Sequence, residues 1–206
     1  MAGSRILALG HYQPSRVLTN EELSHTIDTN DEWIRDRVGI AERRIADGES
    51  VADMATFAAE KALANAGLTA ADIDLVVKVR LAGLWEIPAG EMAQEKSDDP
   101  KIQQIGKDIA AQHEELDGLA RAAAKKLKIK LPNEPNKDQQ GWLDEMDAAE
   151  GEEFDQIYID RLRAAHGKIF PAIATIRAST RNDTVRRLAQ QANQFVATHM
   201  TLLESS

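Results

Sequence analysis

The chain has 206 residues, 43% of them hydrophobic and 29% charged, and 34 acidic against 25 basic side chains give a net charge of -9. That length holds one medium domain or two small ones, and the acidity works against nucleic acid and anionic membranes as partners. The absence of cysteine excludes disulfides, thiolate metal sites and cysteine nucleophiles, and an aromatic content of only 4% favours helices over β-sandwiches.

Arg5–Leu9 is a short apolar run closed by Gly10 and Pro14, which reads as a buried strand and a turn. Its apolar part is too short for a signal peptide, and no stretch approaches the roughly 20 apolar residues of a membrane span, so the cytoplasm is the default expectation. Thr19 and Glu22 have capping-box spacing and predict a short helix. A polar cluster at Asp28–Asp31 opens a second piece through Trp33 that Gly39 ends. Ser50 caps a stronger helix, with Val51, Met54, Ala55, Ala58, Ala62 and Leu63 at helical spacing until Gly67. Ile73, Leu75, Val76, Val77 and Val79 have the residue types of a strand. This is the opening of an α/β unit whose remaining sheet never follows.

From about Leu81 the strong patterns are helical. A helix interrupted at Pro88 reaches Lys96, and Ser97-Asp98-Asp99-Pro100 stops it and starts the next, with Pro100 in the permissive first turn. Ile102, Ile105, Ile109, His113, Leu116, Ala120, Ala123 and Leu127 then form one continuous stripe. Leu131–Asn136 breaks it as an extended loop, and a short amphipathic piece carries Trp142, Leu143 and Met146. A third long helix carries Phe154, Tyr158, Leu162, Ala165 and Ile169 inward and is expected to kink at Pro171. The last turns Val185, Leu188, Ala192, Phe195, His199 and Leu202 inward. Four long amphipathic helices amount to a four-helix bundle. The basic run Lys125–Lys130 lies at a helix end, where it complements the dipole.

Two resemblances meet in this chain. Arg5–Gly10, Thr19–Leu23, Asp31–Ile34 with Arg37–Ile40, and Ser50–Ala55 resemble, in order, the amino terminus of the β-ketoacyl-acyl-carrier-protein synthase III family of thiolase-fold condensing enzymes. The resemblance implies that Trp33 and Arg37, assisted by Thr29, would hold the nucleotide of coenzyme A, an indole and a guanidinium suiting an adenine face. The family's nucleophilic cysteine is missing, and the chain leaves the family's pattern before its catalytic His and Asn, so the resemblance implies no condensing activity. An isolated fragment of this kind would expose apolar strand edges, which favours self-association into a homo-oligomer.

Leu81–Glu86, Gln112–Leu116, Phe154–Tyr158, Ala165-His166 and Thr198-His199 resemble a bacterial family of unknown function, usually exported and ferritin-like in its expected fold. Both families accept Leu68-Thr69-Ala70-Ala71-Asp72-Ile73-Asp74-Leu75, which leads into a strand in the first and caps a helix in the second. The helix is expected to win from Thr69 or Ala70, because the bundle needs its first helix to bury a core. The expected fold is therefore mainly α: a small incomplete α/β, thiolase-like fragment over residues 1–68, fused to a ferritin-like four-helix bundle over residues 69–206.

Glu86, His113, His166 and His199 contribute one polar residue to each long helix, close to the apolar stripes. Imidazole and carboxylate are the ligands of metal sites in bundle cores, although no Glu-x-x-His pair occurs, so a transition metal is one reading. The other is a set of interior histidines hydrogen-bonded to Tyr158, Asp155 or Glu86 to fix helix register. With helix ends near residues 97, 100, 151 and 204, Glu86 and His113 fall about 17 and 20 Å from one end of the bundle. A ferritin-type crossover through residues 130–150 puts His166 at about 23 Å but His199 at only about 8 Å, whereas up-down connections put them at about 18 and 26 Å. The expectation is thus a non-catalytic helical bundle of unknown function, either structural or holding a metal or small ligand; the alternative is a truncated synthase relic with residual acyl-coenzyme A binding and no condensing activity.

Overall fold

The computed structural model describes residues 6–206, and among these it is mainly helical, with eight helices and one two-stranded sheet. The chain divides into two compact units, Met1–Gly67 and Leu68–Ser206.

In the first unit, β1 (Arg16–Thr19) pairs antiparallel with β2 (Glu42–Ile45), and between them lie α1 (Asn20–Ser24) and α2 (Asp31–Val38). Thr19 caps α1, Asn30 caps α2, and Gly39 ends α2 in the left-handed conformation. Buried Asn20 ties the elements together: its amide donates to Asp31 Oδ1 and the Ile40 carbonyl, and its oxygen accepts from Arg43. Ser50 caps α3 (Val51–Asn65) with a full capping box. The predicted strand at Arg5–Leu9 does not form. Arg5 lies outside the described residues, and Ile6–Leu9 take no regular structure, with Ile6 75% exposed. A strand needs a neighbour to bond its backbone, and the only sheet among the described residues is β1–β2. The Leu9 carbonyl instead accepts from Asn65 on α3, and Gly10 lies so close to Ala58 and Ala62 that no side chain would fit there. Among the described residues of this unit only Asn20 and Ile34 are buried, so it has no core of its own.

The first helix of the second unit is capped by Thr69, whose hydroxyl accepts from Asp72 N while Asp72 Oδ2 accepts from Thr69 N. This cap turns the strand-like run Ile73–Val79 into the first turns of α4 (Ala70–Lys96), with Leu75, Val76 and Val79 buried. Neither proline ends its helix: α4 continues through Pro88, and α7 (Gly151–Ser179) through Pro171. Ser97 and Asp99 cap the junction to α5 (Pro100–Leu127), whose predicted stripe is buried from Ile102 to Ala123. At Gly90 and Gly106 the two backbones touch: a Cβ on Gly90 would lie 2.4 Å from the Gly106 carbonyl oxygen, and one on Gly106 2.8 Å from that of Gly90.

After α5 the chain returns along α4 through α6 (Lys137–Ala148). Arg80 donates to the Pro132 carbonyl, Gln139 to that of Leu81, Trp142 meets Trp85 edge-on at 5.0 Å, and Lys96 binds the Asp147 and Ala149 carbonyls. That crossover starts α7 at the same end as α5, and α8 (Asp183–Glu204) runs back until the Ser205 carbonyl meets Lys101. The four long helices pack in the order α4–α5–α8–α7. The predicted stripes are buried at Phe154, Tyr158 and Leu162 on α7 and at Val185, Leu188, Ala192 and His199 on α8, and the remaining predicted positions sit about one residue off the buried face. Ala165, Ile169, Phe195 and Leu202 are half-buried, while His166, Ile173, Val196 and Leu203 are fully buried.

Candidate metal centre

The four polar residues singled out on the long helices are all buried, and each offers one ligand atom such that all four atoms lie within 4.8 Å of one another. Glu86 comes from α4, His113 from α5, His166 from α7 and His199 from α8. The three imidazole centroids are 5.0, 5.2 and 6.1 Å apart. Below the cluster, Trp85, Ile109, Phe154, Tyr158, Leu162 and Leu203 form an apolar core that screens it from water.

The connection through residues 130–150 is the long crossover, yet His199 stands level with His166 rather than near the end of the bundle. Counting back from residue 204 misplaces His199. α8 has 22 residues against 29 in α7. Counted from the α7–α8 turn, His166 and His199 lie about 20 and 24 Å along their helices, which is one layer.

The hydrogen bonds around the cluster set the tautomers of two rings. His166 Nδ1 lies 2.8 Å from the Leu162 carbonyl, an acceptor only, so it carries a proton. His199 Nε2 lies 3.0 Å from Gln112 Oε1 and is likewise the donor. The remaining nitrogens, His166 Nε2 and His199 Nδ1, then face one another at 2.8 Å with a lone pair each. Two lone pairs at that distance repel unless a cation sits with them, either a proton or a metal ion. Glu86 Oε2 is 2.8 Å from His113 Nε2 and 3.4 Å from His166 Nε2, yet neither Glu86 Oε2 nor either nitrogen of His113 makes an aligned hydrogen bond. These are buried polar atoms that no protein group satisfies, and with His166 and His199 they form a set that could hold a cation.

Two of the four groups have protonation equilibria moved by their surroundings. Burial pushes the Glu86 carboxyl up, but His113, His166 and His199 together outweigh it and hold the group at about 2. His199 is held down to about 3, first by burial and then by the neighbouring histidines, so it is a neutral imidazole. Tyr158 is pushed up by burial and by Glu86 and remains a phenol. Neither the Tyr158 hydroxyl nor Asp155 Oδ1 has a hydrogen-bond partner, so the expected pairing of these residues with the histidines does not occur. The partners are Gln112 and the Leu162 carbonyl. Only a Gln beside His113 in the sequence could have suggested the first, and a backbone carbonyl leaves no sequence signal.

Of the residues that the synthase resemblance implies for coenzyme A, Trp33 and Arg37 lie one turn apart on α2, both exposed, with the Arg37 guanidinium 5.7 Å over the indole. Thr29 precedes the Asn30 cap, half-buried, its hydroxyl without a partner.

Residues 57–205 match the model of the family described as Domain of unknown function (DUF4142). The chain belongs to this family. Its amino-terminal part is also similar to condensing enzymes: 66% identical over 76 residues to beta-ketoacyl-(acyl-carrier-protein) synthase III 4 of Streptomyces coelicolor, covering 36% of this chain and 24% of that protein. Against the synthase III of Thiobacillus denitrificans it is 56% identical over 78 residues, 37% of this chain and 24% of the relative. A solved 3-oxoacyl-(acyl-carrier-protein) synthase III from Aquifex aeolicus is 47% identical over 35% of this chain and 23% of its own, with a TM-score of 0.33. The chain thus spans about a quarter of the length of the curated relatives it matches. The DUF4142 chain is therefore a fusion of a synthase-III-like fragment with a helical domain of unknown function. Among its described residues no helix is long and apolar enough to cross a membrane.

Proposed function

We propose that the helical domain binds one divalent transition-metal ion through Glu86, His113, His166 and His199, and that it is a metal-holding bundle rather than a condensing enzyme. The observation that carries this reading is the pair of inward lone pairs on His166 Nε2 and His199 Nδ1, 2.8 Å apart, whose outer nitrogens are already committed to oxygen acceptors. Outer-sphere acceptors of this kind orient imidazoles for a metal. Three imidazoles and a carboxylate suit zinc, iron, cobalt or copper, and the long α6 crossover supports a ferritin-like arrangement in which such sites are built from facing helices. Cobalt titration of the untagged protein tests the reading: visible ligand-field bands should saturate at one Co2+ per chain and be lost in Glu86→Gln and His166→Ala. Bands that fail to appear, or that survive both substitutions, overturn it.

A second reading concerns the first unit. Trp33 and Arg37 form an exposed pair within a stretch 66% identical to a synthase III, so we propose them, with Thr29, as a residual coenzyme A contact. Indole quenching by coenzyme A, absent in Trp33→Phe, supports it; no response at millimolar ligand overturns it.

A further inference from the structure

A cavity of about 30 Å3 adjoins the histidine cluster, bordered by Glu86, His113 and His166 but not by His199. A single water needs about 10–15 Å3 of such space, so the cavity has room for two or three heavy atoms. Away from the cluster its walls are almost wholly apolar, with Val79, Leu116, Ile173 and Val196 all buried. A buried water looks for two to four polar partners, and beyond the three cluster residues the lining offers only Lys78. Lys78, Ala82 and Ile169, none of them fully buried, border the cavity towards the surface and give it an entrance between α4 and α7.

We propose, on the basis of the metal reading above, that the bound ion keeps one coordination position open to this cavity, and that the position takes an end-on ligand of two or three heavy atoms. The geometry favours such a ligand over water because one end bonds the metal and the other rests against methyl groups without needing a hydrogen bond. Three of the four protein ligands border the void, so an ion they hold faces it directly, and a site with one accessible position is the arrangement that lets a metal exchange small molecules. The protein's part is to shape a mostly apolar socket with room for two or three heavy atoms.

Azide added to the Co2+-loaded protein tests the proposal. The visible bands should shift and saturate with azide. In Ala192→Leu, which fills the cavity from α8, Co2+ should still bind at one per chain while azide affinity falls at least tenfold. If that variant does not fold, Ala82→Leu at the half-buried mouth makes the same test. Bands that ignore azide while Co2+ is bound overturn the open position and leave the metal reading intact. Azide binding that is equal in the wild type and the filled variant overturns the cavity as its seat. Failure to bind Co2+ at all is seen before azide is added and overturns both readings together.

Discussion

His199 is wholly buried, with Gln112 on one side of its ring and His166 on the other, so its protonation state bears directly on stability. Its folded value is about 3 against an ordinary 6.5, so between those values the unfolded chain binds a proton that the folded bundle refuses. Stability therefore falls as pH drops through that window. Glu86, held at about 2 against an ordinary 4.5, adds a loss of the same sign as pH drops from 4.5 towards 2. One such proton changes stability by up to about 1.4 kcal/mol per pH unit, so the metal-free unfolding midpoint should decline from pH 7.5 to 5 and more steeply below; a flat profile contradicts the buried cluster. Removing one member should also be costly. His113→Ala leaves the Glu86 carboxylate facing fewer partners and a void behind it, and urea unfolding should register a loss of about 3 kcal/mol. The four cluster residues were legible in the sequence because each is a polar residue in or beside the apolar positions of a different long helix. Their mutual contacts were not, because side-chain orientation depends on which way each helix is turned.

At the scale of the element, α4 and α5 are held by a close approach that only glycine permits. The Gly90 and Gly106 backbones meet less than two turns from Glu86 and His113, so this contact sets the spacing of two of the four cluster residues. Gly106→Val would press into Ala93 and the Gly90 carbonyl, with a predicted cost of about 1–3 kcal/mol by overpacking and a loss of Co2+ affinity, read by thermal melts and metal titration. A variant with unchanged stability and affinity would contradict that spacing role. The caps at Thr69, Ser97 and Asp99, and the α5 stripe, were readable because they depend on neighbours a few residues away. The height of His199 was not readable, since no local signal says how far α8 extends beside α5. Pro88 shows the same boundary: local chemistry predicts an interruption, and burial on both sides holds the helix together.

For the molecule as a whole, the contrast is between a unit with a continuous buried core and one with almost none. Leu68–Ser206 buries residues from every one of its helices, whereas Phe57, Val51 and Trp33 of the first unit remain exposed. The residues are similar to those of synthases, of whose length this chain spans about a quarter. Local stability follows buried apolar contact, so brief trypsin treatment should cut first at Arg35, Arg37, Arg43 or Arg44 and leave a resistant fragment starting near Leu68. Cleavage at comparable rates within α5 or α7 would contradict that division. The fusion itself was legible because its two halves carry separate, ordered residue patterns; the fate of the shared phrase at Leu68–Leu75 was settled by packing, which gives Leu75 and Val76 a core to enter as a helix.

The central claim is a metal held by four helices, and elemental analysis of the purified, untagged chain tests it most directly, alongside His113→Ala and His166→Ala. The account predicts close to one transition-metal ion per chain, lost in both variants while each still folds. A chain that carries no metal, and takes none up from zinc, iron, manganese or cobalt solutions while staying folded, would contradict it and leave Glu86 and the histidines with a structural role alone.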